Sequence, residues 1–167
     1  MPIKESYFSF WKKSSNQHGV HSPFVFSLLT KGLYLKDNRW SQMKKKDAFL
    51  ERIYEYFSPS SFVVINGDLK NDNLFSRGLV SGEVISSLDM IYVGQAGKDV
   101  ITTSDLYSYM HNDSVLMIDR RFKNAVSEQL WQEIVCDDRF IVTLDFYYYG
   151  VAFIRTEQLK QHFVLRM

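Results

Sequence analysis

The chain has 167 residues, 46% of them hydrophobic and 16% aromatic, and its 20 basic and 19 acidic side chains leave a formal charge of +1. That length fits one domain with a single core, and the balanced charge gives no general attraction for nucleic acid or an anionic membrane. The lone Cys136 excludes an internal disulfide, and no Cys/His spacing matches a zinc site.

The opening MPIKESYFSFWKK has no long apolar run followed by small cleavage-site residues, and no segment approaches the ~20 apolar residues of a membrane span. A cytoplasmic protein is expected. Tyr7, Phe8, Phe10 and Trp11 lie at loosely helical spacing before SSNQHG breaks the pattern. In HSPFVFSLLTKGLY, Ser22 is a suitable N-cap, and Pro23 falls at the first helical position, where its missing N–H costs nothing. His21 precedes that cap and His18 lies in the loop, so the two are not stacked as paired metal ligands. They read as polar residues of a helix entry. The spacing of Phe49, Leu50, Ile53, Tyr54 and Phe57 predicts a third helix over 41–57, completing an N-terminal helical segment over 1–57.

From residue 58 onward the rhythm changes to short β-type runs separated by helices. Strands are predicted at 61–67, 88–94, 114–119, 140–146 and 150–154, with helices at 102–111 and 123–135. Thr103 or Ser104 would cap the first of these helices. Runs apolar on both faces and alternating with helices indicate a mainly parallel sheet covered on both sides. Between the last two runs only YYY intervenes, too short for a crossover helix, so they must pair antiparallel.

Three segments carry a resemblance: HGVHSPFVF near the start, LDMIYVGQAG in the middle, and VLMIDRRFKNAVSEQLWQEI through to VTLDFYYYGVAFIRTEQLKQHFVLRM. Together they resemble class I S-adenosylmethionine-dependent methyltransferases, in a branch akin to bacterial O-methyltransferases. The resemblance implies a three-layer Rossmann-like fold over 58–167, lacking the family's strands 2 and 3. It implies about five strands in the order 1-4-5-7-6, the last antiparallel. The family's glycine-rich cofactor turn would correspond to VVINGDLKNDNLFSRG, which offers Asn66, Gly67 and Asp68 as cofactor-loop residues but only one glycine near the strand end. Only about twenty residues separate Gly67 from Leu88, whereas two further strands with their crossovers need roughly sixty. The carboxylate that holds the ribose hydroxyls has no obvious carrier, Glu83 and Asp89 both standing in the wrong context.

The strand-4 aspartate of the family aligns with Gly94 and its histidine with Gly97, while Asp119 persists at the end of strand 5 with Arg120 in place of a second aspartate. Mg²⁺ needs convergent oxygen ligands, so no metal is expected, and Arg120 is expected to neutralise Asp119 in a surface ion pair. These departures imply a non-catalytic, methyltransferase-like protein without cofactor. Its first strand (62–66) becomes a sheet edge open to a second copy or to an intact methyltransferase relative. Leu74, Phe75, Leu79 and Val80 are candidates to cover that edge locally. The alternative is a methyltransferase that still binds S-adenosylmethionine in an altered pocket, through Asn66 to Asp68, with Asp119 and Tyr92 facing the substrate. A third possibility uses Phe146 to Tyr149 as a stacking platform for nucleic acid or a small molecule, although aromatics in a hairpin more simply pair across strands. His162 is expected to be structural, His111 to end a helix, Cys136 to be an inert core thiol, and Asp137–Asp138 to form a turn.

Overall fold

The computed structural model describes residues 5–66, 87–94 and 101–167. Gly67, Asp68, Glu83, Gly97 and the four apolar anchors between Leu74 and Val80 lie outside these residues.

The N-terminal segment starts with α1 (Tyr7–Lys13), capped by the Ser6 hydroxyl, which accepts from the Ser9 N–H at 3.2 Å. Helix α2 (Pro23–Ser27) begins as expected, Ser22 Oγ accepting from the Val25 N–H at 3.4 Å with Pro23 at the first position. It runs directly into a π-helical stretch, Leu28–Leu33, whose Leu28, Leu29 and Leu33 are buried. The helix predicted over 41–57 starts later, as α4 (Lys45–Phe57), after a separate turn of helix, α3 (Asn38–Ser41). The break comes at Lys44, whose extended backbone (ψ 140°) stops the helix from running through.

The sheet of the described residues contains β1 (Phe62–Ile65), β2 (Leu88–Val93), β3 (Met110–Asp119), β4 (Val142–Asp145), β5 (Tyr149–Phe153) and β6 (Gln161–Val164). Their order is β1-β2-β3-β5-β4-β6. β1, β2 and β3 run parallel, β5 lies antiparallel to both β3 and β4, and β6 is parallel to β4. The architecture is therefore α/β with a mixed sheet, six-stranded rather than about five. The additional strand is the tail, which also ties back to the N-terminal segment: Ser15 N–H donates to Val164 O at 2.9 Å and Arg166 N–H to Ser15 O at 3.0 Å.

Two further boundaries differ from the sequence reading. Helix α5 (Thr103–Ser108) is capped by Thr102, not Thr103 or Ser104, in a reciprocal capping box with Asp105. It stops short because β3 begins at Met110, where Leu88 offers a strand partner. Helix α6 (Ala125–Cys136) follows, capped by Asn124.

The two-residue pleat period sends alternate side chains to opposite faces. Met90, Tyr92, Val115 and Met117 join Leu28, Leu29, Phe49 and Ile53 in one core beneath the N-terminal helices. Ile91, Val93, Leu116 and Ile118 join Leu106, Leu130, Trp131 and Ile134 in a second core beneath α5 and α6. Helices thus cover both faces of the sheet. The YYY turn is absorbed into the first layer: Tyr147 packs against Tyr7 and Phe10 at 5.2 Å between ring centroids, and Tyr148 stacks on Tyr7.

Candidate functional site

Parallel strands deliver their carboxyl ends to one edge of a sheet, and loops there can converge on a ligand. Here that edge receives Asn66 after β1, Gly94 after β2 and Asp119 at the end of β3. Asn66 adopts a left-handed backbone with φ 53°, and Gly94 is buried with its N–H donating to Ile65 O at 2.8 Å.

Asp119 is the chemically informative residue. It shares a sheet face with Tyr92 and Tyr149, because Tyr92 pairs with Met117 and Asp119 with Tyr149 in the strand registers. It is 4% exposed. Tyr92 donates to Asp119 Oδ2 at 2.7 Å, while Arg121 donates its backbone N–H to Oδ1 at 3.0 Å and Nη2 to Oδ2 at 2.8 Å. Arg121 Nε lies 3.1 Å from both oxygens. Arg121 Nη2 also reaches Tyr92 Oη at 3.3 Å, and its other terminal nitrogen stands 3.9 Å from Asp47 on α4. Burial, followed by the Asp119 charge, pushes the Tyr92 phenol far above its ordinary range. Burial opposes the Arg121 charge, but the hydrogen bonds to Asp119 outweigh it and raise its pKa. The Tyr92 phenol and the Arg121 guanidinium are both held in their protonated forms, and they close on Asp119 and on one another.

The expected Asp119–Arg120 surface pair is therefore corrected on both counts. Asp119 is buried, and its partner is the next arginine. Arg120, itself 5% exposed, turns to the opposite face, where Nε and Nη2 grip Glu128 at 3.0 and 2.9 Å and Nη1 donates to Asp145 at 2.7 Å. Burial works against that charge, but the two carboxylates raise its pKa overall. Lys123 completes this second cluster, donating to Tyr147 O and standing 3.8 Å from Glu128. Burial, assisted by the Arg120 charge, pushes its amine down to about 8. Nothing in the sequence signals that adjacent arginines diverge to opposite faces except their position just past a strand end.

The remaining candidates are dispersed. Asp89 sits at the start of β2, the opposite end of the sheet from Asp119. There its Oδ1 lies 2.9 Å from His111 Nε2, and its Oδ2 accepts the Ser60 and Ser61 N–H groups at 2.8 and 3.0 Å. Burial raises the Asp89 pKa, but His111 and these amides outweigh it, so the net shift is downward. His111 is thus a strand residue clamping the amino ends of β1, β2 and β3, not a helix terminus. His18 and His21 are exposed and Ser22 Oγ donates to Gln158 at 3.3 Å, so no nucleophile–base pair forms there. His162 Nδ1 lies 2.8 Å from Thr143 Oγ1 within the β4–β6 pair. Cys136 is exposed, correcting the expected core thiol, because it is the last residue of α6. Among the described residues no group of three or more His, Cys, Asp or Glu side chains is arranged to hold a metal, and no helix is long and apolar enough to cross a membrane.

The chain matches no family model, no curated protein and no solved structure. S-adenosylmethionine is the cofactor that the methyltransferase resemblance would bring. A bound nucleoside needs a carboxylate able to accept from its ribose hydroxyls. Both oxygens of Asp119 already accept from Tyr92 and Arg121, and Asp89 stands at the wrong end of the sheet. Of the carboxylates weighed for that role, the two among the described residues are both engaged by internal donors.

Proposed function

We propose that this chain is a non-catalytic, methyltransferase-like protein whose role is association with another polypeptide. The observation that carries the reading is the closure of Asp119 by Tyr92 and Arg121. A carboxylate serving as a metal ligand, base or substrate contact must offer an oxygen to its reactant. Here the oxygens are turned to internal donors, which is the arrangement of a fold-stabilising ion pair. The departures along the sequence point the same way: one glycine near the strand end of the would-be cofactor turn, and Gly94 where the resemblance places a carboxylate.

Association is assigned to the β1 side. Among the described residues β1 ends the sheet, with Val63, Val64 and Ile65 only half-buried. A terminal strand with apolar side chains is a template for strand addition, and the partner would be a second copy of this chain or an intact methyltransferase. Calorimetry with S-adenosylmethionine and its demethylated product tests the catalytic half of the reading: the expected result is no heat at millimolar ligand, and saturable binding overturns it. Sedimentation at tens of micromolar tests self-association, with a dimer expected if the partner is a second copy. A strict monomer leaves the intact relative as the partner to be tested by co-sedimentation, and its failure to bind as well sinks the association reading.

A further inference from the structure

On the face covered by the N-terminal helices, at the carboxyl ends of β4 and β6, a cavity of about 310 Å³ opens between α3, α4 and the tail. That volume lies at the small end of ligand pockets, which span roughly 300–1,000 Å³. Trp40 and Phe49, 7% and 3% exposed, and the fully buried Phe146 form its apolar floor, and Lys45, Arg52 and Arg166 are the charged side chains of the lining, which contains no acidic side chain.

Among the described arginines, Arg52 and Arg166 are the two that make no ion pair with a carboxylate. Arg120 and Arg121 are each matched to carboxylates. Arg52 instead spends only Nη1, on the carbonyls of Gly32 and Leu35 at 3.2 and 2.8 Å, and its Nε and Nη2 have no partner among the described residues. Its guanidinium stacks 4.3 Å from the Trp40 ring. Arg166 uses Nε and Nη2 on Ser14 at 3.2 and 3.1 Å and lies 4.4 Å from the Trp11 ring, leaving Nη1 without a hydrogen-bond partner among the described residues. Lys45 likewise makes no ion pair there. Asp37 and Glu55, acids of the same helical layer, are both hydrogen-bonded by Arg39, at 2.6 and 2.9 Å, and Asp37 acts on Arg52 only through space. An apolar floor and spare guanidinium donors together select a flat apolar body bearing negative charge, since a planar fork matches carboxylate or phosphate oxygens.

We propose that this cavity binds a small aromatic anion, its ring seated on the floor that Trp40 and Phe49 present and its carboxylate or phosphate met by Arg52 and Arg166. The site is separate from Asp119 and does not depend on the methyltransferase-like reading.

The test is calorimetric titration of the full chain with 2-naphthoate and 2-naphthyl phosphate, with 2-naphthalenemethanol as the neutral control. Saturable 1:1 binding of at least one anion is expected, the tighter of the two naming the headgroup, with the alcohol weaker by about tenfold. Ala48→Phe, at a buried position of the lining, should abolish binding by filling the space. Lys45→Glu, on the exposed rim, should weaken it by about fivefold. Thermal melts confirm that each variant is folded; if Ala48→Phe is not, Lys45→Glu decides. The proposal is overturned if neither anion binds saturably at millimolar concentration, if the alcohol binds as tightly, or if the folded variants bind like the parent chain.

Discussion

Replacing Asp119 by asparagine separates a structural ion pair from a retained catalytic group. The substitution keeps the shape and removes the charge. The carboxylate accepts from Tyr92 Oη, from the Arg121 backbone N–H and from the Arg121 guanidinium, all at 2.7–3.1 Å. The Asn carbonyl can keep some of these bonds, but its NH₂ group then confronts the donors of Arg121 or Tyr92. Breaking a buried charge pair costs about 3–5 kcal/mol, and hydrogen bonds to charged groups contribute about 1.5–3 kcal/mol each. Arg121 is 24% exposed and can recover some hydration, so the expected loss is about 2–4 kcal/mol. For a chain of this size that lowers Tm by roughly 5–12 °C. Urea unfolding followed by tryptophan fluorescence measures it. Tyr92→Phe should lose about 1–2 kcal/mol, and the double variant should lose less than the sum by about 1 kcal/mol, because both act on one network. Functional groups are commonly held at the expense of stability. If Asp119→Asn is neutral or stabilising, the reasoning that makes this residue a structural tie fails.

Gly150 pairs with Ile118 and Asp145 in the sheet, and a Cβ there would meet the fully buried Trp131 ring, 2.6 Å from Cδ2. Gly150→Ala should therefore cost about 3 kcal/mol or more. Adding Trp131→Leu should recover over about 1 kcal/mol relative to additivity in the same urea assay, and strict additivity would refute the clash. The Arg139 hydrogen bond pulls the Asp137 carboxyl down to about 2. Its folded pKa thus lies below the unfolded value of about 3.9, and the stability it contributes is lost as pH falls from about 4 towards 2. The midpoint difference between the parent chain and Arg139→Gln should shrink across that window; a pH-independent difference would exclude this linkage. Competitive acylation should give Lys123 a midpoint near 8, against about 10.4 for exposed lysines. Because the folded state releases that proton first, its contribution to stability rises between about pH 8 and 10.4. An ordinary midpoint would show that the amine is not desolvated.

Local signals in the sequence were sufficient for the elements whose causes are themselves local. Ser22–Pro23 marks the start of α2, and the apolar run of residues 88–93 marks β2. Three residues between β4 and β5 compel an antiparallel pair. Where a choice depended on a distant partner, the chain alone could not make it. Met110 and His111 leave the helical pattern because Leu88 and Asp89 lie beside them, and Gln161–Val164 becomes a strand because β4 presents an edge. The same holds for charge. Asp119, Arg120 and Arg121 are consecutive, yet strand geometry sends Arg120 to Glu128 and Asp145 and curls Arg121 back onto Asp119. Sequence spelled out which charges were available; only packing, by bringing Asp145 from 25 residues away to 2.7 Å from Arg120 and turning Glu128 towards it, decided which would meet.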